Sequence, residues 1–221
     1  MISMGSLSIT DQTLKDLCDE IKGRMSARRF EHTLGVEQMA DRISAIYCPE
    51  KRQMLRAAAL LHDVTKELSV EEQITIFERY GEPLDNCFID SPPLMHAITA
   101  ALIIPTEFEN LATDELVEAV RYHTTGRAGM SLSEKIIYLS DYIEHNRTYD
   151  DCIQLRDMFW GADMENMSDD ERMLHLDRVL AESFDMTVAD LCRRDKKVCP
   201  NTASARDYLI QEIKELENKV N

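Results

Sequence analysis

The chain reads as an all-α protein, on three grounds. Seven glycines, six prolines and 6% aromatic residues are few for 221 residues, and Leu, Ile, Ala, Met, Glu and Arg dominate, a mixture of strong helix formers. Apolar residues recur at roughly helical spacing. Capping residues stand where those apolar patterns begin, and Gly or Pro stands where several of them end.

Taken in order, Thr10 or Asp11 caps a first helix running to about residue 24. A second runs from about Ser26 to Tyr47, with Phe30, Leu34, Val36, Met39, Ile43 and Ile46 at helical spacing, and Cys48-Pro49 ends it, since the residue before proline is pushed out of the helical region. The third, about 50–62, carries Met54, Leu55, Ala58, Leu60 and Leu61; a short one, about 70–80, stops at Gly81. Ser91 followed by two prolines is a strong helix start, and Thr113-Asp114-Glu115 opens the helix that reaches His123. Ser131-Leu-Ser-Glu134 matches a capping box, and the helix it opens carries Asp141. Residues 148–172, with "DMENMSDDE", read as an irregular, flexible acidic insertion. A final helix follows Asn201-Thr202, with Leu209, Ile213, Leu216 and Val220 on one face that packs on the core or joins two subunits as a homodimer.

This length is enough for one domain with a substantial core. The part up to residue 147 holds every candidate ligand, and 148–221, read as the acidic insertion and C-terminal helices, is expected to pack on the same domain. The six cysteines form no C-x-x-C pair and read as reduced thiols. "MISMGSLSIT" lacks a basic region followed by an apolar stretch, and no apolar run approaches the ~20 residues of a membrane span, so a soluble, cytoplasmic protein without membrane partners is expected. The net charge is −16 and no basic stripe is present, which argues against nucleic-acid polymers as partners. An acidic protein that handles a polyanion must do so with bound cations and a few placed Arg or Lys residues.

The stretch "AAALLHDVTK" (57–66) runs an apolar helix straight into His62-Asp63. Burying an unpaired charge costs several kcal/mol or more, so either an ion-pair network or a metal must offset it. Histidines 32, 62, 96 and 123 and aspartates 63 and 141 all sit in or at the ends of apolar-periodic helices. Each alone is more often a hydrogen-bonded core or surface residue. Together, imidazole and carboxylate suit a divalent metal held inside a helical bundle. A carboxylate has two oxygens and can span two metals about 3.5–4 Å apart.

The order H…HD…H…H…D resembles that of the HD-domain metal-dependent phosphohydrolases. The segments "RFEHTLGV" (29–36), "LLHDVTK" (60–66), "PLMHA" (93–97), "HTTG" (123–126), "MSLSEKIIYLSDYIEHNR" (130–147) and "CPNTASARDYL" (199–209) are similar to the YqeK-type branch, symmetrical bis(5'-nucleosyl)-tetraphosphatases. The chain departs from that branch at Ser140 and His145, where the family has Ala and Pro, and in its longer acidic stretch. The resemblance implies an HD-domain helical bundle with a metal centre in its core. His32, His62, Asp63, His96, His123 and Asp141 would hold two divalent ions, iron in this family with manganese or cobalt as alternatives, Asp63 bridging them.

It further implies hydrolysis of diadenosine tetraphosphate to two ADP by a metal-activated water, with Asp63 and Lys66 in catalytic roles. Lys66 lies one turn past Asp63, and a solvated helix-end lysine is its bland reading. Arg147 could clamp a phosphate, while a surface ion pair suits Arg29 as well as substrate contact does. Thr124, Thr125 and Gly126 suit phosphate oxygens as well as they suit plain helix termination. The alternatives are a hydrolase for another nucleotide, such as a nucleoside triphosphate or an alarmone, and a non-catalytic nucleotide-binding HD module.

Overall fold

In the computed structural model, which describes residues 9–220, eleven α-helices and three short 3-10 turns account for all the regular structure of those residues. Helix α1 (Asp11–Lys22) starts on a capping box in which the Thr10 hydroxyl accepts from the Thr13 N–H. Ser26 caps α2 (Ala27–Tyr47), which stops at Cys48 ahead of a Pro49–Lys51 turn. Next come α3 (Arg52–Leu61) and α4 (Val70–Tyr80), the latter opened by a Ser69–Glu72 capping box and closed by Gly81 at φ +65°. That positive φ is why glycine stands there.

A short α5 (Asn86–Asp90), absent from the sequence reading, precedes the two prolines. Ser91 does not cap a long helix: Pro92–Leu94 form a 3-10 turn, and α6 runs Met95–Glu107. Thr113 caps α7 (Asp114–Arg121), and Ser131 caps α8 (Leu132–Ile143) through the Glu134 N–H. The reciprocal half of the expected capping box is diverted, because the Glu134 carboxylate is held by Arg127 at 2.7 and 2.9 Å.

Helix α3 is the centre of the bundle. It packs against α1, α2, α7 and α8, and Leu55, Ala57, Ala58, Ala59, Leu60 and Leu61 are all buried. Arg52, Gln53 and Arg56 keep the first half of the helix in contact with water, but residues 57–61 are buried on every side, and three consecutive alanines let the neighbours approach closely. Its C-terminal end therefore delivers His62-Asp63 into the interior.

The acidic stretch corrects the sequence reading. Residues 148–172 are not an irregular insertion: Asp150–Trp160 form α9, which buries Cys152, Leu155 and Phe159. A Met164–Asn166 turn leads into α10 (Asp169–Arg193), the longest helix here, which the sequence reading did not foresee. Ser168 and Glu171 form a reciprocal capping box, and Asp169 and Asp170 occupy the first turn, where negative charge favours the helix dipole. The carboxylates that read as a solvated loop are a helix start.

Helix α11 (Pro200–Val220) lies along α10, with Leu209 buried and Ile213 and Leu216 half-buried; the Val220 side chain lies outside the described residues, as do residues 1–8 and the leader reading made on them. The cysteine reading also changes. Cys87, in α5, is disulfide-bonded to Cys199, just before α11, with Cα atoms 5.6 Å apart, while Cys18, Cys48, Cys152 and Cys192 are free. The pair is 112 residues apart in sequence, beyond what local spacing can reveal. No described helix is long and apolar enough to cross a membrane.

Candidate metal centre

Four histidines from four parts of the bundle are anchored in one manner. The Nδ1 of His62 lies 2.6 Å from the Ala59 carbonyl oxygen, that of His96 2.6 Å from the Pro93 oxygen, and that of His123 2.7 Å from the Val120 oxygen. His32 Nδ1 meets Glu144 Oε1 at 3.1 Å. A carbonyl oxygen only accepts, so Nδ1 of the first three rings donates, and the neutral ring carries its lone pair on Nε2. Those Nε2 atoms converge: His96 and His123 bring theirs to 3.1 Å. Neighbouring ring centroids are 5.6 Å apart for His32–His62, 4.9 Å for His62–His123 and 5.0 Å for His96–His123.

Asp63, 3% exposed, lies between these rings. Its Oδ1 is 3.0 Å from His96 Nε2 and 3.8 Å from His123 Nε2. Its Oδ2 is 3.4 Å from His62 Nε2 and 3.7 Å from His32 Nε2. Each carboxylate oxygen thus faces a different histidine pair. Asp141, from α8, adds Oδ1 to the second pair, 3.0 Å from His32 and 3.8 Å from His62. Two sets, His32–His62–Asp141 and His62–Asp63–His123, each gather their donor atoms within 4.8 Å.

The donor chemistry fits a divalent cation. Nε2 of His62 is buried without a hydrogen-bond partner, a costly arrangement for a lone pair unless a cation takes it. Burial alone would raise both aspartates, yet the neighbouring His62 charge for Asp63, and Arg147 with His32 for Asp141, hold them well below the usual carboxylate range. Burial pushes His96 down to about 4 and also lowers His123. At His32 burial opposes protonation, but Asp141 and Glu144, which accept from the protonated ring, outweigh it and raise the ring to about 9. All six sequence-derived ligand candidates meet in one place.

The surrounding cations make ion pairs and ring contacts within this cluster. Arg29 Nη1 is 2.6 Å from Asp63 Oδ2, and Arg147 pairs with Asp141, so both guanidiniums sit on ligand carboxylates. Lys66 is not on a continued helix, because α3 stops at Leu61; a turn, with Lys66 N–H on the Asp63 carbonyl at 3.0 Å, brings its Nζ to 3.2 Å from both His96 ring nitrogens. Burial lowers its pKa. Thr124 keeps a buried hydroxyl without a partner, whereas the Thr125 hydroxyl donates to the Gly126 carbonyl at 3.0 Å. Gly126 has φ +62°, and a Cβ there would meet Phe184 at 2.6 Å, so chain reversal and packing both require glycine.

Sequence reasoning missed Glu144. It is 1% exposed, orients His32 through Oε1, and accepts the Asn146 N–H on Oε2 at 2.6 Å. It lies so close to α2 that a Cβ at position 35 would stand 2.3 Å from Oε2, which makes Gly35 part of the same arrangement. Arg156 of α9 satisfies the end of α8 by donating to the carbonyls of Ile143, Glu144 and Arg147. The one signal available was spacing: Glu144 lies a single helical turn after Asp141.

The sequence profile of the HD domain matches residues 29–146, the span from Arg29 to just past Glu144. A Bacillus subtilis protein named "Bis(5'-nucleosyl)-tetraphosphatase, symmetrical" is 28% identical over 190 residues, covering 86% of this chain and 94% of its own length. A Staphylococcus aureus protein of the same name is 28% identical over 187 residues, covering 85% and 89%. A solved structure from Clostridium acetobutylicum, described as an HD superfamily hydrolase involved in NAD metabolism, superposes with TM-score 0.76 at 32% identity, over 90% of this chain and 97% of that one. The profile spans more than half of the sequence and encloses all six converging donors, and the chain belongs to the HD domain family.

Proposed function

We propose that this chain is a two-metal phosphohydrolase that cleaves diadenosine tetraphosphate symmetrically to two ADP. The observation that carries the two-metal reading is Asp63, whose Oδ1 faces His96 and His123 while its Oδ2 faces His62 and His32. One carboxylate serving two imidazole pairs is what a two-cation site needs. His32, His62, Asp63 and Asp141 would hold one ion, and Asp63, His96 and His123 the other; iron is the metal we assign, as the family resemblance implies. When bound, such ions supply an activated water and neutralise phosphate charge. The substrate reading rests on the names carried by the Bacillus and Staphylococcus relatives, both matched over most of their length.

The chain's own residues then have distinct tasks. The carbonyls of Ala59, Pro93 and Val120, with Glu144, fix the rings so that Nε2 faces inward. Lys66, half-buried beside His96, offers a cation to a phosphate at the centre. Arg29 and Arg147 already lie against the ligand carboxylates and face the adjoining cavity, where phosphate oxygens can take bidentate bonds.

Symmetric cleavage requires attack at a phosphorus next to the central bridging oxygen, with ADP leaving. The test is reaction in heavy-oxygen water, on a panel of diadenosine tetraphosphate, ATP, NAD and guanosine tetraphosphate, with and without chelator. Two ADP, label in one of them, and arrest by chelator are expected. ATP plus AMP would overturn the symmetric assignment, and tight binding without product over hours would favour a non-catalytic module.

A further inference from the structure

A cavity of about 420 Å³ opens beside the metal centre, and His32 and Arg147 belong to both. Its walls come from the start of α2 and from the segment joining α8 to α9, and they differ in character along the cavity. The end nearest the centre is lined by the guanidiniums of Arg29 and Arg147, engaged with Asp63 and Asp141. Arg28, on the same wall, is exposed and makes no ion pair or hydrogen bond among the described residues. In an acidic chain most arginines are paired, as Arg24, Arg52, Arg56 and Arg127 are here. Glu31, one turn on, is the exposed carboxylate of this wall.

Thr148 and Tyr149 also line the cavity. Tyr149 is 65% exposed, the most exposed of the large apolar side chains. It stands at the N-cap of α9 without making a side-chain capping bond, so neither core packing nor helix capping accounts for it. A single exposed tyrosine needs no explanation in itself. An exposed aromatic ring lining a cavity that arginines also line matches a nucleotide, with its flat base and its phosphates. The volume lies at the lower end of the range for small-molecule sites, room for one nucleotide rather than for a whole dinucleoside tetraphosphate.

We infer that this cavity is the subsite for one nucleoside end of the substrate, with the base stacked on Tyr149, an outer phosphate on Arg28, and the inner phosphates directed past Arg147 to the metal centre. The inference rests on the hydrolase reading and adds specificity to it, because Tyr149 selects for a base where arginines select only for phosphate.

Calorimetric titration of the metal-loaded protein with ADP and, separately, with inorganic pyrophosphate tests it. Both side chains are exposed, so Tyr149→Ala and Arg28→Ala should fold and retain the wild-type metal content. Tyr149→Ala should weaken ADP about tenfold while leaving pyrophosphate unchanged, and Tyr149→Phe should bind both as wild type does. Arg28→Ala should weaken both ligands. If Tyr149→Ala binds ADP as tightly as wild type, the subsite is wrong and the hydrolase reading stands. If the wild-type protein takes up neither ligand, both are overturned.

Discussion

Because each oxygen of Asp63 faces a different histidine pair, truncating this one side chain removes a donor from both halves of the centre. Asp63→Ala should therefore purify with almost no bound metal, whereas His123→Ala, which leaves the donors of His32, His62 and Asp141 in place, should keep close to half. Metal analysis after purification without added metal decides, and a full complement in Asp63→Ala would end the bridging assignment. The six candidate donors that converge were legible in the sequence because an adjacent His-Asp at the end of an apolar helix is costly without a cation, and because the other four recur in similar settings. The anchors were not legible. Ala59, Pro93 and Val120 act through backbone carbonyls, which every residue possesses, so their identity carries no signal. Gly35 and Glu144 meet only once α2 and α8 are packed. Arg29 and Arg147 were recognisable as cations near the site, but their partners, Asp63 and Asp141, depend on tertiary placement.

Among the helices, those with a cap and a clear apolar repeat were readable to within a residue or two: Thr10, Ser26, Ser69, Thr113 and Ser131 each cap where the pattern begins. The error at 148–172 arose from weighing acidity over pattern. Ser168-x-x-Glu171 has the spacing that marked Ser131-x-x-Glu134, and the intervening aspartates suit a helix start. A flexible insertion and a packed helix make opposite predictions for α9. Phe159 is fully buried, stacks with Tyr47 at 6.3 Å between centroids, and meets Trp160 edge-on at 4.9 Å. Phe159→Ala should cost ~3–5 kcal/mol in urea unfolding, as large-to-small changes at buried aromatics do. A loss below ~0.5 kcal/mol, the range of ordinary surface substitutions, would restore the flexible reading.

For the molecule as a whole, the question is whether the stretch 1–147, which holds all the candidate metal ligands, forms a unit without 148–221, a boundary the sequence proposes from the positions of those candidates alone. Every candidate metal donor lies before residue 147, but the hydrophobic core is continuous across that point, from Leu14 to Leu209. Tyr138 of α8 stacks on Phe184 of α10 at 4.6 Å between centroids. Lys135, 3% exposed, is held by Asp177 of α10 at 2.8 Å and Glu212 of α11 at 3.0 Å. Gly126, three residues after His123, rests against Phe184 and Ala205, and Arg156 closes the end of the helix that carries Asp141. Removing 148–221 would therefore expose one side of α8, strip both partners from Lys135, and leave the carbonyls after Asp141 without their donor. Exposed apolar surface costs roughly 25 cal/mol per Å², and domains are stable by only ~5–15 kcal/mol. A chain ending at residue 147 should accordingly show no cooperative thermal transition and bind no stoichiometric metal, whereas the full chain should show one transition that rises when metal is added, as binding to the native state alone requires. Calorimetry with metal analysis reads both quantities. A truncated chain that melts cooperatively and carries its metal would make residue 147 a physical domain boundary, with the C-terminal helices an attachment to a centre that holds itself together.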